Sequence, residues 1–352
     1  MVNLKKKINT SDLYGKYSFG NEYDYFFRDK SINKSKKIIK ADLIKAGVLN
    51  KIKKYNVLDV GTGRQSIGLS KLGAKSVEHF DISRIHVKRF KKLLNTKFSN
   101  HNIKSKNVDL TKFKLKKENY DFIYLNGIVH HFENVHSGLY NCANSLKVGG
   151  RIWCYFYRSG TFKWFVCSMI RKLLINIDPK EAFESLSIYF GKGETSNYIV
   201  GRIMDDFFVP YIDLFSANQY IKYMKKLGFK MVGHDNAYPL DNINHERLHH
   251  SATIVFQKIE STPVKKKIPQ KVLLTSVNSI DQLDRKYYNK KSILECIKEF
   301  KKVLKKSKKF SSYKLWMLVL SLHEISAGQY YGNNELPPKY DELIKILKLS
   351  NR

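Results

Sequence analysis

The segment Asn56-Val57-Leu58-Asp59-Val60-Gly61-Thr62-Gly63-Arg64 constrains this chain more than any other. An apolar strand runs straight into two glycines, and Gln65-Ser66 then open a helix. A short, nearly continuous apolar strand is buried on both faces, as the central strands of a parallel sheet are. Glycines at its end let backbone N–H groups approach a ligand resting over the following helix N-terminus. A nucleotide-like ligand is the obvious candidate. The dinucleotide fingerprint G-x-G-x-x-G requires glycine at position 66, where Ser66 stands, so NAD is disfavoured. Asp59 precedes the first glycine by two positions. A second acid, Asp81, ends the next strand in Glu78-His79-Phe80-Asp81-Ile82-Ser83, where it is placed to accept hydrogen bonds from ribose hydroxyls.

Around this segment short apolar runs alternate with amphipathic stretches. Strands are expected at 57–60, 76–80, 103–108, 121–125 and 151–157, with helices at 66–72, 83–94 and 135–146. That alternation predicts a mostly parallel sheet with helices on both faces. Residues 159–216 are rich in aromatics, broken by Asp178-Pro179 and Gly191-Lys192-Gly193, and show no clear strand; they read as a helical insertion. A helix at 217–227, a stop at Gly228 and strands at 229–234 and 250–256 follow. Two strands joined without a crossover helix must be antiparallel. Residues 1–50, with Tyr14, Tyr17, Phe19, Tyr23, Tyr25, Phe26 and Phe27 ahead of a helix at 34–46, read as an aromatic cap. Residues 261–269 read as a linker to helices at 293–306, 313–327 and 340–349. The expected organisation is therefore a cap (1–50), a ligand-binding domain in two pieces (51–158 and 217–259), a helical substrate lid (159–216) and a basic helical C-terminal region (260–352).

Assembled in this order, the motifs resemble the core of the class I S-adenosylmethionine-dependent methyltransferases, which carry an acid, a glycine-rich turn, a ribose-binding acid about twenty residues on and a closing antiparallel strand. Asn107-Val108-Asp109-Leu110 is similar to the segment after the third strand, whose acid contacts the adenine amino group. Tyr120-Asp121-Phe122-Ile123-Tyr124-Leu125-Asn126-Gly127-Ile128-Val129-His130-His131-Phe132 resembles the fourth-strand motif. Asn144-Ser145-Leu146-Lys147-Val148-Gly149-Gly150-Arg151-Ile152 resembles the helix-turn-strand of the small-molecule branch that includes the ubiquinone and menaquinone methyltransferases. The resemblance spans roughly residues 55–157 and 217–258. It implies an α/β, Rossmann-like doubly wound sheet with an antiparallel last strand, to which this chain adds its helical insertion and helical C-terminal region. It also implies S-adenosyl-L-methionine as cofactor, held by Asp59, Gly61, Thr62, Gly63, Asp81, Ile82, Asp109, Leu110 and Asn126. Two positions depart from the pattern: Gln65 stands where a third glycine is frequent, and Arg64 adds a cation beside a ligand that is itself a sulfonium.

Methyl transfer is an in-line displacement that demands alignment and water exclusion more than catalytic side chains. Methylation of base amines goes with [Asp/Asn]-Pro-Pro-[Tyr/Phe] after the fourth strand, whereas this chain has Asn126-Gly127-Ile128-Val129. Pyrimidine-carbon methylation uses a cysteine beside a proline, and no cysteine lies near that strand. His131 and His130 follow it and are the candidate general bases, the alternative being that they orient the loop. His245-Glu246-Arg247-Leu248-His249 spells H-E-x-x-H but sits in a loop between strands, so no metal site is expected. His245, His249 and His250 could instead face the acceptor. In the insertion, Phe156, Tyr157, Phe162, Trp164, Tyr198, Phe207, Phe208 and Tyr211 with Asp205-Asp206 suit either a cationic amine or the lid's own core.

Charge widens the field. Lys+Arg 64 against Asp+Glu 31 gives +33, enough to raise nucleic acid or an anionic membrane surface as a partner. The excess is lysine, 53 against 11 arginines, while bidentate phosphate and base recognition favours arginine; nucleic acid is not favoured. Lys301-Lys302, Lys305-Lys306 and Lys308-Lys309 could grip phosphate or form a solvated face. Cys142, Cys154, Cys167 and Cys296 show no C-x-x-C pairing, which fits a reducing, cytoplasmic setting. No secretory signal or membrane span is expected. The leading expectation is a methyltransferase acting on a small-molecule oxygen or nitrogen; an RNA or protein methyltransferase using the basic tail, and a degenerate scaffold, are the alternatives. A homo-oligomer built through the C-terminal helices is compatible with both their apolar runs and their charge.

Overall fold

A computed structural model describes residues 10–18, 23–191, 193–234, 251–263, 290–327, 330–331, 334–335 and 339–351. The strands β1 (Asn56–Val60), β2 (Ser76–Asp81), β3 (Ile103–Asn107), β4 (Tyr120–Asn126), β5 (Leu146–Tyr157), β6 (Phe229–His234) and β7 (Ser251–Lys258) form one sheet in the order β3-β2-β1-β4-β5-β7-β6. β1 pairs in parallel with β2 and β4, β2 with β3, and β4 with β5. β7 runs antiparallel to both of its neighbours, β5 and β6. The order reverses between β1 and β4, and that switch opens a crevice beyond the strand ends. β5 starts at Leu146, five residues before the expected start, because Gly149-Gly150 continue the strand across a register shift opposite Tyr120 and Phe122.

In chain order the helices are α1 (Thr10–Asp12), α2 (Tyr23–Phe26), α3 (Asp29–Lys45), α4 (Arg64–Lys71), α5 (Arg84–Thr96), α6 (Val135–Ser145), α7 (Phe162–Leu173), α8 (Pro179–Phe190), α9 (Glu194–Phe208), α10 (Ala217–Lys226), α11 (Lys290–Ser307), α12 (Ser312–Ala327) and α13 (Tyr340–Ser350). Local chemistry starts several of them. Ser83 accepts a hydrogen bond from the His86 amide and Asn134 from the Ser137 amide, while Asp178 caps α8 ahead of Pro179; each satisfies amides that a first helical turn leaves unpaired. Alternate residues of β1 face opposite layers. Val57 packs with Val77, Phe122 and Trp153 against Ile39 and Leu43 of α3, and Leu58 packs with Ile123, Leu125 and Ile152 against α6 and α10. The sheet is thus buried on both faces. The aromatic segment read as a cap has a core of its own, in which Tyr23, Phe26 and Phe27 close on Ile67, Phe90 and Leu94.

The insertion and the C-terminal helices share one apolar cluster: Trp164, Met169 and Ile170 of α7 and Ile203 and Phe207 of α9 pack with Phe300 of α11, Val319 and Leu322 of α12 and Leu343 of α13. Periodicity identifies each helix and its apolar stripe, but not which stripe meets which, because the two segments lie about a hundred residues apart in the chain. Among the described residues no helix is long and apolar enough to cross a membrane.

Leu322 is fully buried in this shared cluster. Leu322→Ala is expected to lower stability by about 2–5 kcal/mol. Urea unfolding followed by the fluorescence of Trp164, which lies in the same cluster, should register the loss. An unchanged Trp164 transition would mean that the C-terminal helices do not support the insertion.

Candidate active site

At the C-terminal end of β1 the backbone turns sharply. The Gly61 amide donates to the Phe80 carbonyl oxygen at 2.9 Å, and Gly61 and Gly63 take φ of +133° and +93°, which side chains resist. The two glycines serve different neighbours. Gly61 exposes its backbone to a cavity, whereas a Cβ on Gly63 would stand 2.9 Å from the buried ring of Phe90. Gly63 is required for packing against α5.

Two buried polar side chains brace this turn from beneath. Asp59 is 1% exposed, and its Oδ2 accepts a hydrogen bond from Ser66 Oγ at 2.6 Å, tying β1 to the first turn of α4. Burial pushes its pKa from 3.8 up to about 7 against the opposing hydrogen bonds from Ser66 and Val60. Oδ1 is buried without a partner. His79, one strand over, is wholly buried: one ring nitrogen meets the Gly61 carbonyl and the other meets Ser105 Oγ at 2.8 Å. A carbonyl only accepts, so Nε2 carries the proton and Nδ1 accepts from the serine. Burial lowers the pKa of this ring and keeps it neutral. The sequence signal for His79 is its strand register, since it pairs with Asp59 across the parallel ladder.

Asp81 faces the cavity from the tip of β2. Its Oδ1 accepts from the Ser83 amide at 2.6 Å and its Oδ2 lies 3.2 Å from His86 Nδ1. The His86 ring stacks on Tyr23, with centroids 4.8 Å apart, and the Tyr23 hydroxyl lies 3.0 Å from the carbonyl oxygens of both Thr62 and His86. The N-terminal segment therefore joins the glycine turn to α5. After β3, Asp109 Oδ1 accepts from the Thr111 amide (2.9 Å) and hydroxyl (2.7 Å), and its Oδ2 lies 3.4 Å from Lys112. At the end of β4, Asn126 Nδ2 donates to the Tyr124 hydroxyl at 3.4 Å.

These groups converge on a cavity of about 330 Å³. The strand ends supply Gly61, Thr62, Asp81, Ile82, Asp109, Leu110 and Asn126. Tyr14 and Phe26 enter from the N-terminal segment, Tyr155 and Tyr157 from β5, and Tyr198, Arg202 and Asp205 from α9. Of the residues that the resemblance assigns to the cofactor, Asp59 and Gly63 alone do not line it. Tyr198, Arg202 and Asp205 recur at helical spacing i, i+4, i+7, and Tyr155 and Tyr157 share one face of β5 by the two-residue strand period; both patterns are readable once the elements are known. Phe156, Phe162, Trp164, Phe207 and Phe208 are core residues instead, and Tyr211 borders an adjoining recess.

The histidine pair is divided by the structure. His131 lines the cavity, with Nδ1 donating to the Tyr211 carbonyl at 3.0 Å and Nε2 3.9 Å from Asp205 Oδ1. Asp205 is itself buried, accepts from Ser18 Oγ at 3.0 Å, and has its pKa raised chiefly by burial. His130 does not line the cavity. Its ring stacks on Tyr157 with centroids 3.5 Å apart, both of its nitrogens are buried without partners, and burial holds its pKa well below the usual value. Of the two expected bases, His130 is thus set in the core: a one-residue step on the short helical turn 129–131 rotates its ring away from the cavity that His131 lines. His245, His249 and His250 lie outside the described residues. Among the described residues no cluster of three or more His, Cys, Asp or Glu could hold a metal ion.

Residues 58–154 match the family profile of the "Methyltransferase domain". The chain thus carries an S-adenosylmethionine-dependent methyltransferase domain, and S-adenosylmethionine is its cofactor. Among solved structures it is similar to the Burkholderia thailandensis 1,6-didemethyltoxoflavin-N1-methyltransferase, solved with 1,6-didemethyltoxoflavin and S-adenosylhomocysteine. The two are 13% identical over 71% of this chain and 87% of that one, with a TM-score of 0.41. The CurJ carbon methyltransferase is also 13% identical, over 72% of this chain and 62% of its own, with a TM-score of 0.44. No curated protein matches the sequence.

The raised pKa of Asp59 sets a pH dependence. In the unfolded chain it ionises near its ordinary 3.8, whereas in the fold it stays protonated to about 7. Across that window the folded state binds the extra proton, so stability falls as pH rises. Asp59→Asn keeps an oxygen acceptor for Ser66 and removes the titration. Its stability relative to the parent is expected to rise between about pH 4 and 7, read by chemical denaturation at several pH values; a constant difference would show that Asp59 does not titrate in that range.

Proposed function

We propose that the protein methylates an oxygen or nitrogen of a small molecule, with the cofactor laid across the ends of β1 to β4 and the acceptor held under α9. The observation that carries this reading is that His131, with Nε2 3.9 Å from Asp205 Oδ1, lines the same cavity as the Gly61 turn. The aromatic side chains that line the cavity, Tyr14, Tyr155, Tyr157 and Tyr198, support a small acceptor over a polymer. In this reading residues 1–50 cover the cofactor, 159–216 form the acceptor lid and the C-terminal helices support that lid. The stretch 144–152 favours the branch similar to ubiquinone and menaquinone methyltransferases.

The residues fit the cofactor. Gly61 offers bare backbone at the cavity wall, Asp81 keeps lone pairs beyond those used by Ser83 and His86, and buried polar atoms beside the turn, Asp59 Oδ1 and Arg64 Nε, lack partners. S-adenosylmethionine, when bound, supplies an electrophilic methyl group on a positively charged sulfur. Gly61 and Thr62 would approach it through their backbone, Asp81 would accept from the ribose hydroxyls, and Ile82, Asp109, Leu110 and Asn126 would border the remainder. Asp59 and Gly63 act through the shape of the turn.

On the acceptor side, His131 donates through Nδ1 to a backbone carbonyl, which leaves Nε2 as the nitrogen of this ring that can accept a proton. That nitrogen would take the proton leaving a hydroxyl or amine as it is methylated, and Asp205 would stabilise the resulting imidazolium. Tyr14, Tyr155 and Tyr157 would exclude water around the reacting pair.

Two measurements test the two halves of the site. Asp81→Ala should weaken S-adenosylhomocysteine binding in isothermal titration by about 1.5–3 kcal/mol for each ribose hydrogen bond lost, at unchanged thermal stability; parent-like affinity would remove Asp81 from the site. With an active acceptor found by screening small phenols and amines against labelled cofactor, His131→Gln should lower kcat by about 10²–10⁴ while S-adenosylhomocysteine affinity holds. An undiminished kcat would exclude His131 as the base.

A further inference from the structure

Two guanidinium groups reach the cavity, and their surroundings differ. Burial lowers the pKa of Arg202, but Asp206, Tyr157 and Asp205 more than offset this and its pKa is raised overall. Its charge is balanced from within the lid. Arg64 has no such balance. Among the described residues it forms no ion pair; its Cζ lies over the Phe26 ring at 4.9 Å, and its Nε is buried without a partner. The groups acting on it are the phenols Tyr124, Tyr198 and Tyr25, together with Asp59 from beyond ion-pair distance and already committed through Oδ2 to Ser66. A partly buried cation facing phenols and an aromatic ring still lacks a counter-ion. Its planar fork of donors matches a carboxylate.

Strand order says which part of the cofactor would meet it. Along the cavity floor Asp109 follows β3, Asp81 ends β2, Gly61 ends β1 and Asn126 ends β4, and these strands are neighbours in that order. Arg64 starts α4 directly after the turn, and its neighbours Tyr124 and Tyr198 put it on the β4 side. A ligand whose base and ribose lie at the β3 and β2 ends therefore presents its amino-acid end toward Arg64. S-adenosylmethionine carries one carboxylate, at that end.

We propose that Arg64 binds the methionyl carboxylate of the cofactor. The proposal rests on the cofactor reading of this site. It also accounts for the departure from the family pattern at this position: the added cation serves the carboxylate. Arg64 also borders a second cavity, between α3 and the start of α9, which Ile38 and Ile39 help to line. The rival role would be to hold an anionic acceptor there.

Isothermal titration with two probes separates these roles: S-adenosylhomocysteine, and its decarboxylated analogue S-adenosyl-3-thiopropylamine, which lacks only the carboxylate. The parent should bind the first more tightly. Arg64→Gln should weaken S-adenosylhomocysteine by about tenfold to a hundredfold and leave the analogue unchanged or tighter, so that discrimination collapses. Arg64→Lys should retain part of it, as a point charge without the fork. Equal losses for both probes would mean that Arg64 only shapes the site, and no loss for either would assign it elsewhere, including the second cavity; each overturns the proposal and leaves the cofactor site standing. Failure of the parent to bind either probe would overturn both readings. Binding of the analogue by Arg64→Gln shows in the same experiment that the variant is folded.

Discussion

Everything the cavity can do depends on the shape of the backbone at Gly61, and that shape is held by buried polar contacts beneath it. Asp59 ties the strand to the helix through Ser66, and His79 takes the Gly61 carbonyl while Ser105 fixes its tautomer. Both side chains are almost fully buried. A buried polar group is worth having only where its partners are in place, so the pair resists distortion of the turn more strongly than apolar side chains would. The cost is an aspartate whose ionisation the fold opposes.

The cavity is closed by two parts of the chain that are remote in sequence from its floor, the N-terminal segment and the insertion. Tyr23 links the N-terminal segment to the turn, Ser18 reaches Asp205 on α9, and the Tyr211 carbonyl orients His131. The cavity wall around His131 therefore exists only when the insertion is in place. The insertion in turn buries its apolar surface against α11, α12 and α13. The lysines of these helices lie mostly outside while their apolar residues fill the shared cluster, which is how so basic a chain keeps a large apolar core.

Much of the arrangement is legible in the residues themselves. Apolar runs of strand length broken by glycine determined the mostly parallel sheet, and the acid at the end of the second marked a ribose position; the cofactor followed from the resemblance of the assembled motifs to a known family, and the switch point from the strand order. The antiparallel seventh strand followed from the missing crossover before it, since a parallel return needs a helix. Gly61, Thr62, Asp81, Ile82, Asp109, Leu110 and Asn126 reach one cavity because strand ends in a parallel sheet share one edge, and that is a consequence of topology alone.

Tertiary structure decided the rest. His130 and His131 are the same residue type one position apart, and only the packing of Tyr157 against one ring and the cavity beside the other separates a core side chain from a candidate base. Asp59 and Gly63 belong to the motif, yet the bend of the turn carries both away from the cavity wall. Arg64 reads in the sequence as an intruding charge; Phe26, thirty-eight positions earlier, is what gives it a direction. Tyr14, Tyr155 and Arg202 have no motif at all. Local sequence sets which face of an element is apolar, because that depends on backbone period, but it does not set which distant face meets it, because many pairings bury similar area and only the packed whole selects one.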